Sequence, residues 1–177
     1  MKSRKSKNKS GSSTPKFNKE FKNDSNQQFL NINGQTPSYG NFWQSENAGV
    51  APNGPIPFNQ TGPTAGGVSL LTPYTIGITE AGDYEINYIV TIIPPPNVTK
   101  LSVFLNNVEV PNFQTTFTTW FDETGFLLEA YQVSGTAIIS IPANSTLELR
   151  NKSGSPIAFF SRNLEANAAA LTVIKLS

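Results

Sequence analysis

The stretch Gly82-Asp83-Tyr84-Glu85-Ile86-Asn87-Tyr88-Ile89-Val90-Thr91-Ile92-Ile93, followed at once by Pro94-Pro95-Pro96, decides the architecture. From Asp83 to Ile93 it is rich in β-branched and aromatic residues in an alternating pattern, which suits a pleated strand. Three successive prolines lack the amide hydrogens a ladder needs, so the strand must end there in a loop at one end of a sandwich. On the other side, Glu80-Ala81-Gly82-Asp83 separates the strand from an alternating segment upstream, and Gly82 is expected to take positive φ in a tight connection.

Outward from this strand, short apolar segments recur at intervals of about 8 to 12 residues, each bounded by Gly, Pro, Asn or Asp. The candidate strands are Pro55–Phe58, Gly67–Leu71, Thr75–Thr79, Asp83–Ile93, Lys100–Val110, Phe113–Trp120, Phe126–Ile141, Thr146–Asn151, Ile157–Phe160 and Ala169–Leu176. Asn106-Asn107, between Leu105 and Val108, reads as a two-residue hairpin turn, because Asn tolerates the left-handed region. Ten strands fit an all-β, antiparallel jelly-roll sandwich over residues 55–177. No amphipathic helix stands out beyond the weak pattern of Leu164 to Ala170, and no run reaches the roughly 20 apolar residues of a membrane helix.

Residues 36–54 are rich in Gly, Pro and Asn yet hold Tyr39, Phe42 and Trp43, so they read as a linker or a docking strap. Residues 1–35 carry too little apolar surface to offset chain entropy and are expected to be a disordered basic tail. Between Met1 and Asp24 eight basic residues meet two acids, a charge of 8 − 2 = +6; the rest of the chain carries 5 − 10 = −5. Clustered lysine attracts polyanions in general, but with a single Arg the tail is read as a solubilising extension, with no nucleic acid among the expected partners. Its basic start is followed by Gly11-Ser12-Ser13-Thr14-Pro15 rather than an apolar stretch, so a conventional signal peptide is not expected.

The sequence contains no histidine and no cysteine. A Ser-His-Asp arrangement, a thiolate nucleophile and a Cys/His zinc site are thereby excluded, and with no thiols there is no disulfide. Paired carboxylates could serve a glycosidase, but the adjacent pair Asp122 and Glu123 sits before Thr124-Gly125 and reads as a surface turn. No catalytic residue, metal or cofactor is expected.

The strands Asp83–Ile93 and Ala169–Leu176 are largely apolar on both faces: Tyr88, Val90 and Ile92 oppose Ile89, Thr91 and Ile93, and Ala169, Leu171 and Val173 oppose Ala170, Thr172, Ile174 and Leu176. A strand facing water on one side alternates apolar with polar. Either these strands lie mid-sandwich under loops, or their second face meets another subunit.

Pro57-Phe58-Asn59, the run from Ile78 to Tyr88 and the ending Ala168-Ala169-Ala170-Leu171-Thr172-Val173-Ile174-Lys175-Leu176-Ser177 resemble the C-terminal domain of the collagen-like exosporium glycoproteins of Bacillus-type spores, and the basal-layer exosporium protein to which they attach. The likeness covers about two thirds of the chain. Its middle motif is also similar to the jelly rolls of tumour necrosis factor and complement heads. The resemblance implies a homotrimer packed around a threefold axis, with Tyr88, Val90, Tyr131, Phe159, Leu171 and Val173 at the interface. It implies a structural role at the spore surface, in exosporium or outer coat, with Tyr39, Phe42 and Trp43 docking the N-terminal region on another surface-layer or filament protein. The chain departs from the family in having no Gly-X-Y stalk. The alternative is a binding head, the tip of a phage or surface fibre that recognises a glycan or receptor through Pro94–Lys100 and Phe121–Gly125.

Overall fold

The computed structural model describes residues 37–92, 98–120, 131–159 and 166–177. The tail 1–35, the triple proline, Asp122, Glu123 and the Phe159 side chain lie outside them. The chain folds as an all-β jelly roll in which two antiparallel sheets face each other. The first sheet has five strands in the order β10 (Tyr131–Ile141), β6 (Gly82–Ile92), β13 (Ala169–Lys175), β1 (Tyr39–Gln44) and β3 (Gln60–Ala65). The second runs β4 (Val68–Thr72), β5 (Thr75–Ile78), β11 (Ser145–Asn151), β7 (Val98–Leu105) and β8 (Val108–Glu109), with β9 (Phe117–Trp120) also paired to β7. A short ribbon joins β12 (Ile157–Phe159) to β2 (Ala48–Val50).

Period-two alternation drives the fold. In β6 the side chains of Tyr84, Ile86, Tyr88, Val90 and Ile92 turn inward and are buried, while Asp83, Glu85, Asn87, Ile89 and Thr91 turn outward. The inward set meets Leu101, Val103, Leu147 and Leu149 of the second sheet in one core. Each such side chain stabilises the fold by about 1.5–3 kcal/mol relative to exposure.

The segment expected as a linker or strap supplies β1 and β2. Strand β1 pairs with β13 from Tyr39–Ile174 to Gln44–Ala169 and with β3 on its other side. Its Phe42 is fully buried, because alternation points Gly40, Phe42 and Gln44 at the core. The compact body accordingly runs from Gln35 to Ser177. Pro55–Phe58, read as a strand, is instead an extended segment pinned singly: Ile56 N–H donates to Leu149 O at 2.7 Å and Phe58 N–H to Pro73 O at 2.6 Å.

Two turn assignments met different fates. Asn106 (φ 49°) and Asn107 (φ 67°) form the expected tight turn, dividing Lys100–Val110 into β7 and β8. Gly82 does not take positive φ. It opens β6, and its lack of a side chain matters for space: a Cβ there would meet the Ser177 backbone oxygen and lie 2.6 Å from Lys175 Cε. Positive φ appears instead at Gly66 and Gly67, which turn the chain from β3 into β4. The candidate strand from Phe113 to Trp120 begins with a 3-10 turn at Pro111–Phe113 and becomes a strand only at Phe117.

At the centre of the core the Tyr88 hydroxyl donates to Thr115 O (3.0 Å), with Leu101 O (3.3 Å) as a second acceptor. Its ring meets Phe117 edge-on at 6.1 Å. Burial pushes the phenol well above its ordinary value, and the Phe117 backbone partly opposes this. The folded chain thus holds this proton more tightly than the unfolded chain. The resulting stability is complete below about pH 10 and falls above it as the unfolded state ionises. Tyr88→Phe should cost about 1–3 kcal/mol at neutral pH, by leaving the Thr115 carbonyl unpaired, and should lower the alkaline slope by about 1.4 kcal/mol per pH unit. Chemical denaturation between pH 7 and 11.5 reads both effects; an unchanged alkaline slope would exclude the buried phenol as its source.

Candidate subunit interface

The pairing registers place the outward side chains of the five-stranded sheet in rows. One row runs Ser134, Ile89, Ala170, Trp43 and Gln60 across β10, β6, β13, β1 and β3. The next holds Thr136, Asn87, Thr172 and Asn41, and the Thr172 hydroxyl bonds Asn41 Oδ1 at 3.2 Å. A third holds Ile138, Glu85, Ile174 and Tyr39. Two largely apolar rows therefore flank an uncharged polar one. Ile138, Ile174 and Ile89 are 54 %, 42 % and 38 % exposed in the single chain. Several large apolar side chains exposed on one sheet face make it the candidate contact surface.

The residues read from sequence as interface fall differently. Tyr88, Val90, Leu171 and Val173 are buried in the chain's own core, and a side chain with no accessible surface cannot face a neighbouring subunit. Tyr131 is half-buried against the same core. The outward positions are those that alternate with them, chiefly Ile89 and Ile174. Of the docking set, Phe42 is a core residue, while Tyr39 and Trp43 lie on the same outward face as Ile89 and Ile174. Two groups of residues more than 40 positions apart in sequence thus share one surface.

Charge on this face is one-sided. Glu85 is outward beside Ile138 and Ile174, and Asp83 accepts from Ser140 Oγ at 2.6 Å and from Ser177 Oγ at 3.3 Å. Lys175, the nearest cation in sequence, is turned away to Glu80 at 3.1 Å. On the second sheet Arg150 pairs with Glu148 at 2.6 Å and lies over the Phe104 ring at 4.4 Å, and just beyond β11 Lys152 meets Glu109 at 3.2 Å.

Beside β10, the turn after β8 forms a second apolar surface. An open groove of about 510 Å³ is lined by Val108, Val110, Pro111, Ile138 and Ile139 together with the carboxylates of Asp83 and Glu109, and at its wall Gln114 Nε2 donates to Ile138 O at 2.7 Å. Phe113 follows Pro111 and is 79 % exposed. Sequence reading missed this surface, since a lone Phe and Val among polar residues carry no periodic signal.

The two loops suggested for ligand contact spring from paired residues, Val98 opposite Trp120, and Trp120 is 70 % exposed. Residues 93–97 and 121–130 themselves lie outside the described set. Among the described residues no three His, Cys, Asp or Glu side chains cluster as metal ligands, and no helix is long and apolar enough to cross a membrane.

No protein-family model and no curated protein matches this sequence. Solved structures do match the fold. The chain is similar to Eiger TNF of S. frugiperda at 11 % identity and TM-score 0.67, over 81 % of this chain and 94 % of that one. It is similar to the globular domain of zebrafish complement 1qA at 11 % identity and TM-score 0.58, over 79 % and 98 %. Murine APRIL matches at 8 % identity and TM-score 0.59, over 79 % and 99 %. These likenesses establish a jelly roll of the tumour necrosis factor and complement-head type.

Proposed function

We propose that this chain is a structural, non-enzymatic module that assembles as a homotrimer in a spore surface layer and anchors there to another layer or filament protein through its N-terminal region. The observation that carries the assembly is the outward face of the five-stranded sheet, where Ile89, Ile138, Ile174 and Tyr39 stay exposed around Asn41, Asn87, Thr172 and the single carboxylate of Glu85. The absence of histidine and cysteine supports a role without catalysis. The ending from Ala168 to Ser177, similar to that of exosporium proteins, supports the location.

Light scattering on the full chain at micromolar concentration should give three times the chain mass, and a monodisperse monomer would overturn the assembly. Antibody raised against the chain should label intact spores of the organism that encodes it; label confined to growing cells would overturn the location.

A further inference from the structure

We propose that Lys152 and Asn53 join in an isopeptide bond that the folded chain forms on itself, with Glu109 carrying the protons. Lys152 Nζ lies 3.3 Å from Asn53 Oδ1 and 3.2 Å from Glu109 Oε2. A primary amine, a carboxamide and a carboxylate therefore meet at one point, brought together from the turn after β2, from β8 and from the residue after β11. Because an amide C=O bond is about 1.23 Å long, the amine stands at most about 4.5 Å from the Asn53 carbonyl carbon, within a small movement of attack distance.

An ordinary ion pair accounts for the lysine and the glutamate, but not for how firmly the carboxamide is held beside them. Asn53 N–H donates to Asn151 O at 2.7 Å, Asn151 N–H to Gly54 O at 2.9 Å, and Lys152 N–H to Lys100 O at 2.7 Å. The Asn151 side-chain amide adds bonds to Val50 O at 3.1 Å and Ala51 O at 3.2 Å. Both reacting residues are thus pinned to one strand end, and fixed geometry is what speeds a reaction between two weakly reactive groups. The Lys152 and Glu109 side chains are only 27 % and 34 % exposed, and the Phe104 ring centre lies 5.5 Å from Nζ. Asn53 precedes Gly54, whose amide nitrogen is the usual attacker of such an asparagine. Here that N–H is engaged with Ala51 O at 2.9 Å, which leaves Lys152 as the nucleophile at hand.

The atoms balance without any co-reactant. Glu109 takes one proton from the ammonium, as a base beside an amine nucleophile does. The amine attacks Asn53 Cγ, and the new Nζ–Cγ bond replaces the Cγ–Nδ2 bond. Glu109 gives its proton to the departing nitrogen and takes a second from the attacking one. Ammonia leaves from the exposed Asn53, carries that second proton off as ammonium, and restores the carboxylate. The step occurs once per chain and is independent of the assembly reading.

Mass spectrometry of the full chain after incubation at neutral pH tests it. The chain should be lighter than its sequence by one ammonia, resist trypsin at Lys152 and yield a branched peptide joining Lys152 to Asn53. Lys152→Arg keeps the ion pair without a nucleophilic amine and should restore the full mass. Glu109→Gln, with the circular dichroism spectrum of the parent, should slow formation of the link by about 100-fold or more. A wild type with unmodified peptides at both positions overturns the bond. So does an ammonia loss that persists in Lys152→Arg, because it belongs to cyclisation at Asn53-Gly54. A link formed at the parent rate in Glu109→Gln overturns the role given to Glu109.

Discussion

A chain shortened to begin at Pro55 should show no cooperative unfolding transition, whereas one beginning at Gln35 should melt as sharply as the full-length protein. The shorter chain loses β1, which lies between β13 and β3 in the sheet. Phe42 goes with it, a fully buried ring whose truncation alone costs about 3–5 kcal/mol. So do the backbone bonds from Asn59 N–H to Trp43 O at 3.0 Å and from Ala168 N–H to Gln44 O at 2.7 Å. It also loses β2, the partner of β12, with the buried Val50. The sum reaches or exceeds the 5–15 kcal/mol by which domains are stable. Thermal melts followed by far-ultraviolet circular dichroism decide it: a Pro55 chain that melted like the parent would mean β1 is dispensable.

Gly135→Val should be nearly as damaging. Gly135 lies in the middle of β10 directly opposite Tyr88, whose ring lies over the glycine backbone. A Cβ at this site would sit 2.6 Å from Tyr88 Cζ and 2.7 Å from its hydroxyl, and inside contact distance of Phe117 as well. Neither ring can move freely, because the Tyr88 hydroxyl is tied to Thr115 and the rings pack edge to face. Overpacking a core by a methyl costs about 1–3 kcal/mol, so Gly135→Ala should lose about that much. The two further methyls of valine should remove most of the folded population at 37 °C. Denaturant midpoints for the pair, measured beside Ser134→Ala on the outward face as a control, give the comparison; equal midpoints for all three would exclude the ring-over-glycine packing.

The sandwich was legible because β6 alternates over 11 residues and β13 repeats the pattern, which is enough to select sheet over helix. Strand β1 was hidden by its own chemistry. With Gly40 and Gln44 as its other inward residues, a single Phe carries the apolar signal, and the segment reads as a loop. Strand β3, Gln-Thr-Gly-Pro-Thr-Ala, lies at the sheet margin with no fully buried side chain, so burial left no mark on its composition. The candidate interface was legible by element but not by face. A strand apolar on both sides announces two contacts without saying which side is inward, and choosing Tyr88 over Ile89 reverses every assignment. Only cross-strand register resolves that parity.

At each margin of the five-stranded sheet one backbone group is withheld from strand addition. On β10 the Ile138 carbonyl is occupied by the Gln114 amide, and on β3 Pro63 has no amide hydrogen to offer. Open margins template further chains, and the product is a fibre. In the assembly proposed above, recognition through side chains would stop at a number set by geometry, whereas recognition through backbone would have no natural end.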